Sequence, residues 1–127
     1  MPEVPKVRGW MNNREFARRL EERTKQFALQ IIRLSAGLSR SPEALVIRNQ
    51  ITKSATSIGA NYREANRSRS RADFKNRIKI CESEASETQY WLELVSAAGW
   101  MPHSRLAAIH KESSELLAIF TSIAKKM

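Results

Sequence analysis

Residues 50–94, QITKSATSIGANYREANRSRSRADFKNRIKICESEASETQYWLEL, decide how the rest of the chain is read. Ile51, Ala55, Ile58, Tyr62 and Ala65 recur at spacings of three and four, one face of a helix. Phe74, Ile78, Cys81, Ala85, Thr88, Leu92 and Val95 repeat the pattern over three heptads. Between them lies NRSRSR, a turn studded with arginine. Ser70 followed by Asp73 resembles a capping box for the second helix. The stretch therefore reads as two long amphipathic helices packed against each other.

Working outward, Ser41-Pro42-Glu43 starts the first of these helices. Serine caps, proline tolerates the first turn, and glutamate suits the positive end of the dipole. Leu45 and Ile47 extend its stripe. Upstream, Asn12 or Asn13 with Glu15 opens another helix, whose stripe is Phe16, Leu20, Phe27, Ile31, Leu34 and Leu38. Downstream, Gly99 and Pro102 stop the 71–98 helix. A last helix follows with Leu106, Ile109, Leu116, Leu117, Phe120 and Ile123. Residues 1–11, with Pro2, Pro5 and Gly9, show no period and read as an N-terminal arm that Trp10 tacks to the body. The expectation is an all-α, elongated, up-down-up-down antiparallel four-helix bundle over residues 12–127, with helices at about 13–38, 43–66, 71–98 and 104–125. Gly59 inside a helix costs about 1 kcal/mol relative to alanine. Close approach of a neighbouring backbone is the expected compensation.

Length allows one domain, and 42% hydrophobic with 28% charged residues is an ordinary globular mix. One cysteine, Cys81, excludes an intrachain disulfide, and its place on the apolar stripe favours a core thiol over a nucleophile. No apolar run approaches the roughly 20 residues that span a bilayer, and no secretory pattern opens the chain, so a cytoplasmic protein without membrane contact is expected.

The net charge is +9, unevenly placed. Residues 1–81 hold 18 basic and 7 acidic groups, against 4 and 6 in residues 82–127. Such asymmetry suggests a polyanionic partner, with RNA or DNA ahead of a membrane. The residues expected to carry it are Arg63, Arg67, Arg69, Arg71, Lys75 and Lys79 around the turn, then Arg14, Arg18, Arg19 and Arg23 on the first helix. No stacked-aromatic signature of RNA recognition accompanies them.

Beside the apolar stripes runs a second row: Gln50, Ser54, Ser57, Asn61 and Glu64 on the first of these helices, with an equivalent row of Arg77, Ile80, Glu84, Glu87, Trp91 and Leu94 on the second. Three readings compete for it. It is an exposed flank, or a helix or subunit interface whose Ser57, Asn61, Glu84 and Glu87 satisfy one another. The third is a site with Glu84 and Glu87 as acid/base pair or metal ligands. Bundle metal sites pair glutamates with Glu-x-x-His, and no histidine follows these two, so neither metal nor cofactor is expected. Glycine-rich phosphate loops and nucleophile elbows are absent, and a non-enzymatic role is favoured.

Gln50, Ile51, Lys53, Ser54, Ala55, Ser57, Ile58, Asn61 and Glu64, followed by Ser70, Asp73, Phe74, Glu84, Ala85, Glu87, Thr88, Tyr90 and Leu92, carry a family resemblance. The chain resembles the four-helix-bundle family named after intervening sequences of large-subunit rRNA. It departs at Tyr62 and Ala65, where isoleucine and glycine are usual. The resemblance implies a homopentameric ring, which would carry about +45, and an interface role for the polar row. It also implies kinship with accessory variability determinant proteins of diversity-generating retroelements, basic pentamers that bind nucleic acid and a reverse transcriptase. A nucleic-acid-binding accessory factor is the leading expectation. A scaffold that docks a partner protein, with no nucleic-acid role, is the alternative.

Overall fold

The computed structural model describes residues 13–127, and the expected arm and Trp10 lie outside them. Four helices follow in order: α1 (Arg14–Ala36), α2 (Pro42–Ala65), α3 (Arg71–Ala97) and α4 (His103–Lys125). Each is roughly 35–40 Å long at 1.5 Å per residue. Consecutive helices pack together, and α1 meets α4 to close the bundle.

Local chemistry sets the boundaries. Asn13 opens α1, its Oδ1 accepting from the backbone N–H groups of Glu15 (2.9 Å) and Phe16 (3.2 Å). Ser41 Oγ accepts from Ala44 N–H at 3.2 Å, with Pro42 at the first helical position. Ser70 Oγ accepts from Asp73 N–H at 3.1 Å. α3 ends in a Schellman motif: Trp100 N–H donates to Val95 C=O at 3.2 Å and Gly99 N–H to Ser96 C=O at 3.0 Å. Gly99 takes φ +73°, a left-handed conformation that only glycine adopts without strain.

The α3 stripe is buried along its whole length, as its heptads require. On α1, Leu20, Phe27 and Ile31 are buried, with Phe16 and Leu34 packed at the margin, and the expected Leu38 is buried just past the helix end. α2 departs from expectation at its start. Leu45 is 41% exposed, and Ala44 takes the core position at 0%. The reason is register: Ala44 lies seven residues before Ile51, whereas Leu45 sits about 100° round the helix. α4 buries Ser113 and Ile119 besides the expected residues, and Leu117 packs at the margin. Tyr62, where the resemblance departs, is buried and packs edge-on against Phe120, ring centroids 5.5 Å apart at 63°.

The α1–α2 seam is close. A methyl group placed on Gly59 would come 3.1 Å from Thr24 Oγ1 and 3.4 Å from Thr24 Cβ. The expected compensation for a mid-helix glycine is thus present, and the close neighbour is α1 at Thr24. Buried Thr24 keeps its hydroxyl at home, donating to the carbonyls of Leu20 (3.0 Å) and Glu21 (2.9 Å). No described helix is long and apolar enough to cross a membrane.

Candidate nucleic-acid interface

The α2–α3 turn, residues 66–70, projects its arginines outward. Arg63, Arg67, Arg69 and Arg71 are exposed, as is Lys79, while Lys75 is half-buried. Asn66 Nδ2 donates to Glu21 Oε2 at 2.8 Å, which ties the turn to the first half of α1. Arg71 donates to the carbonyl of Met127, bringing the end of α4 to the same place. Exposed Lys125 and Lys126 therefore stand near the basic turn.

On α1, Arg14, Arg18 and Arg19 are exposed. Glu15 meets Arg18 Nη2 with both oxygens (2.8 and 2.7 Å) and Arg19 Nε at 3.1 Å. The hydrogen bond from Arg18 is the main cause that holds the Glu15 carboxyl below its usual range. These pairs are open to water and hold their partners only weakly. Arg23 behaves differently. Its Nε and Nη2 grip both oxygens of Glu112 at 2.7 Å each, and Nη2 also reaches Glu115 at 2.9 Å. Its side chain is only 27% exposed. Hydrogen bonding to Glu112, ahead of the other causes, raises its pKa. Arg23 is thus an α1–α4 tie, set apart from the outward cations.

Between α1 and α2 runs a groove of about 660 Å³. Arg18, Arg19 and Lys25 line it from α1, and Arg63 lines it from α2. Thr24, Ala28, Thr56, Gly59 and Ala60 give it small residues, and Glu21 and Glu22 add two carboxylates. Glu21 is held by Asn66, and Glu22 Oε2 accepts from Gln26 at 2.8 Å. The groove joins the two cation sets that the sequence kept separate, through Arg63. Thr56, Gly59, Ala60 and Arg63 at helical spacing were its signal, but which helix they face depends on the packing.

The polar row divides in two. Ser54 is buried, and Thr88 Oγ1 donates to its Oγ at 2.8 Å across the α2–α3 seam. Asn61 Nδ2 donates to Ser57 O (2.9 Å) and Oγ (2.8 Å), while Arg77 Nη1 donates to Asn61 Oδ1 at 2.8 Å. Gln50 is half-buried and Glu64 exposed. Glu84 and Glu87 are half-buried and are not bonded to Ser57 or Asn61 among the described residues. Glu87 instead accepts from Trp91 Nε1 at 3.3 Å. It lines a shallow hollow with Lys79, Glu82, Ser83, Ser86, Tyr90 and Leu117, a set that lacks Glu84.

Cys81 is buried beneath this row, its thiol 3.5 Å from the Ile58 carbonyl. Burial pushes its pKa up to about 12, which keeps it a neutral thiol. Among the described residues, no three His, Cys, Asp or Glu side chains gather in a metal-holding arrangement.

Fold and site together define a basic four-helix bundle whose outward cations meet along one groove and one turn. Residues 18–122 match the 23S rRNA-intervening sequence proteins, and the chain belongs to that family. A crystal structure from Bacteroides thetaiotaomicron VPI-5482, described as a protein of unknown function from the S23 ribosomal protein family, is similar. It is 38% identical, superposes with a TM-score of 0.77, and the match covers 83% of this chain and 97% of that one. No curated protein matches.

Proposed function

We propose that this protein is a non-enzymatic, oligomeric accessory factor that binds RNA or DNA. The observation that carries the reading is the groove shared by Arg18, Arg19 and Lys25 of α1 with Arg63 of α2, next to a turn that the Asn66–Glu21 bond ties to α1. Phosphate neutralisation by such a surface gives sequence-tolerant, salt-dependent binding. The test is binding of the purified protein to single-stranded RNA across a salt series. Absent binding at low salt, or binding indifferent to salt, sinks the reading. Charge reversal at Arg67, Arg69 and Arg71 should weaken binding while leaving the assembled mass unchanged.

The oligomer in this reading is a cytoplasmic homopentamer of up-down bundles, with the row from Gln50 to Glu87 at helix or subunit contacts. Five-residue connections between consecutively packed helices support the topology. Burial of the exposed Ile32, Val46, Ile80 and Tyr90 is what self-association would gain. Absolute mass in solution checks it: a monomer removes the pentamer.

Those apolar side chains also support the second reading, a scaffold that docks a partner protein. A single protein retained after nuclease treatment, with no RNA bound at low salt, would favour it.

A further inference from the structure

Three features of the α1–α2 groove coincide. Cations stand on both of its sides, Lys25 on α1 and Arg63 on α2, and neither shows a carboxylate partner among the described residues. Its bed is small and open at exposed Ala60, whereas Gly59 beside it is already covered by Thr24. Its volume, about 660 Å³, lies in the range of small-ligand clefts.

We propose that the groove between α1 and α2 is the seat of a single nucleic-acid strand, held by its phosphates. The proposal rests on the nucleic-acid reading above and narrows it to one place and one substrate class. Phosphates lie against Arg63 on one side and against Lys25 and Arg18 on the other. Arg18 is free to turn to them because its bond to Glu15 is exposed to water. The groove offers no aromatic ring for base stacking, so the strand is gripped by its backbone and its sequence is not read. Glu21 and Glu22 set a limit. They repel phosphate from that part of α1 and steer the strand toward the α2 side.

The experiment uses the full chain and a fluorescent 12-nucleotide oligouridylate, with the same length of single-stranded DNA and an RNA duplex as further probes. Ala60 is exposed in the groove, so Ala60→Glu adds a carboxylate there without touching the core. Ala107→Glu adds the same charge at an exposed position of α4, away from the groove. Ala60→Glu should weaken single-strand binding at least tenfold, and Ala107→Glu by less than twofold. The Lys25→Ala/Arg63→Ala pair should lower the slope of log K against log salt by about 1.4, or about 0.7 per lost phosphate contact. Both single strands should bind alike, and the duplex more weakly. Thermal melting confirms that each variant is folded.

Equal weakening by the two glutamates, wild-type binding by Ala60→Glu, or duplex preferred to single strand overturns the proposal while the general nucleic-acid reading survives. Tighter binding of an acidic oligopeptide than of oligouridylate, abolished by Ala60→Glu, overturns it in favour of a protein ligand. No binding of any nucleic acid at low salt removes both readings.

Discussion

Gly59 and Thr24 touch where α2 crosses α1, and a methyl group on Gly59 would stand 3.1 Å from Thr24 Oγ1. That hydroxyl is held by two carbonyls of its own helix and cannot swing aside without losing them. Two effects then oppose each other in Gly59→Ala. Helix propensity gains about 1 kcal/mol, and crowding against Thr24 costs a similar amount. The expected net change is within about 0.5 kcal/mol of zero. In a Thr24→Ala background the crowding is gone, and Gly59→Ala should stabilise by about 1 kcal/mol. Urea denaturation of the four-protein cycle measures the coupling. Full additivity would show that the contact carries no strain.

Thr88→Val should cost about 1 kcal/mol, because it removes the bond across α2–α3, while the buried Ser54 hydroxyl keeps its bond to the Ile51 carbonyl at 3.3 Å. Replacing both, as Ser54→Ala/Thr88→Val, should cost no more than Thr88→Val, since the cross-helix bond is already lost. Chemical denaturation compares the three variants with the parent. A double variant less stable than Thr88→Val would contradict the account.

Arg23→Met removes a two-pronged grip and leaves Glu112 and Glu115 facing each other half-buried. A loss of about 1–3 kcal/mol is expected. Nucleic-acid affinity should change less than twofold, because this guanidinium faces α4. Affinity falling in step with Arg63→Ala would place Arg23 among the binding residues instead.

Cys81 supplies a pH dependence. Its thiol pKa is 9.0 ordinarily and about 12 in the fold, mainly through burial. Between those values the unfolded chain gives up a proton that the folded chain keeps. The unfolded state is therefore favoured as pH rises, by up to about 1.4 kcal/mol per pH unit. Below pH 9 the contribution is constant. Unfolding free energies of the parent and of Cys81→Ala, measured from pH 8 to pH 11, should diverge in that sense. Parallel curves would mean that the thiol ionises in place. In the native state below pH 9, a water-soluble disulfide reagent should react with Cys81 only as fast as the bundle opens.

Much of this was written in plain periodicity. α3 keeps an apolar residue at every core position but Thr88, so its buried face follows from spacing alone. α2 begins less clearly, because Ala44, Leu45, Val46 and Ile47 are all apolar and only the later register picks alanine. Ser113 on α4 was invisible for another reason. Its hydroxyl donates to His110 C=O at 2.7 Å, so burial strands nothing, and a serine there looks like a surface residue. The arginines of the turn were legible as charge. Their union with α1 was not, since it depends on a bond between Asn66 and Glu21, 45 positions apart. Arg23 shows the converse: its spacing matches that of Arg19, and only the packing of α4 reveals its different use.

The closure of α1 on α4 has a kinetic consequence. Every other seam joins helices adjacent in the chain, across connections of five residues. Such local contacts place the bundle among rapid folders, on the microsecond-to-millisecond scale. The Arg23–Glu112 pair spans 89 positions, and closing so long a loop is expected to follow formation of the three local seams. An interaction formed after the rate-limiting barrier slows the return journey alone. In stopped-flow chevrons, Arg23→Met should thus steepen nothing on the refolding limb and raise the unfolding limb. The ion pair acts as a latch on the assembled bundle, lengthening its lifetime without hastening its birth.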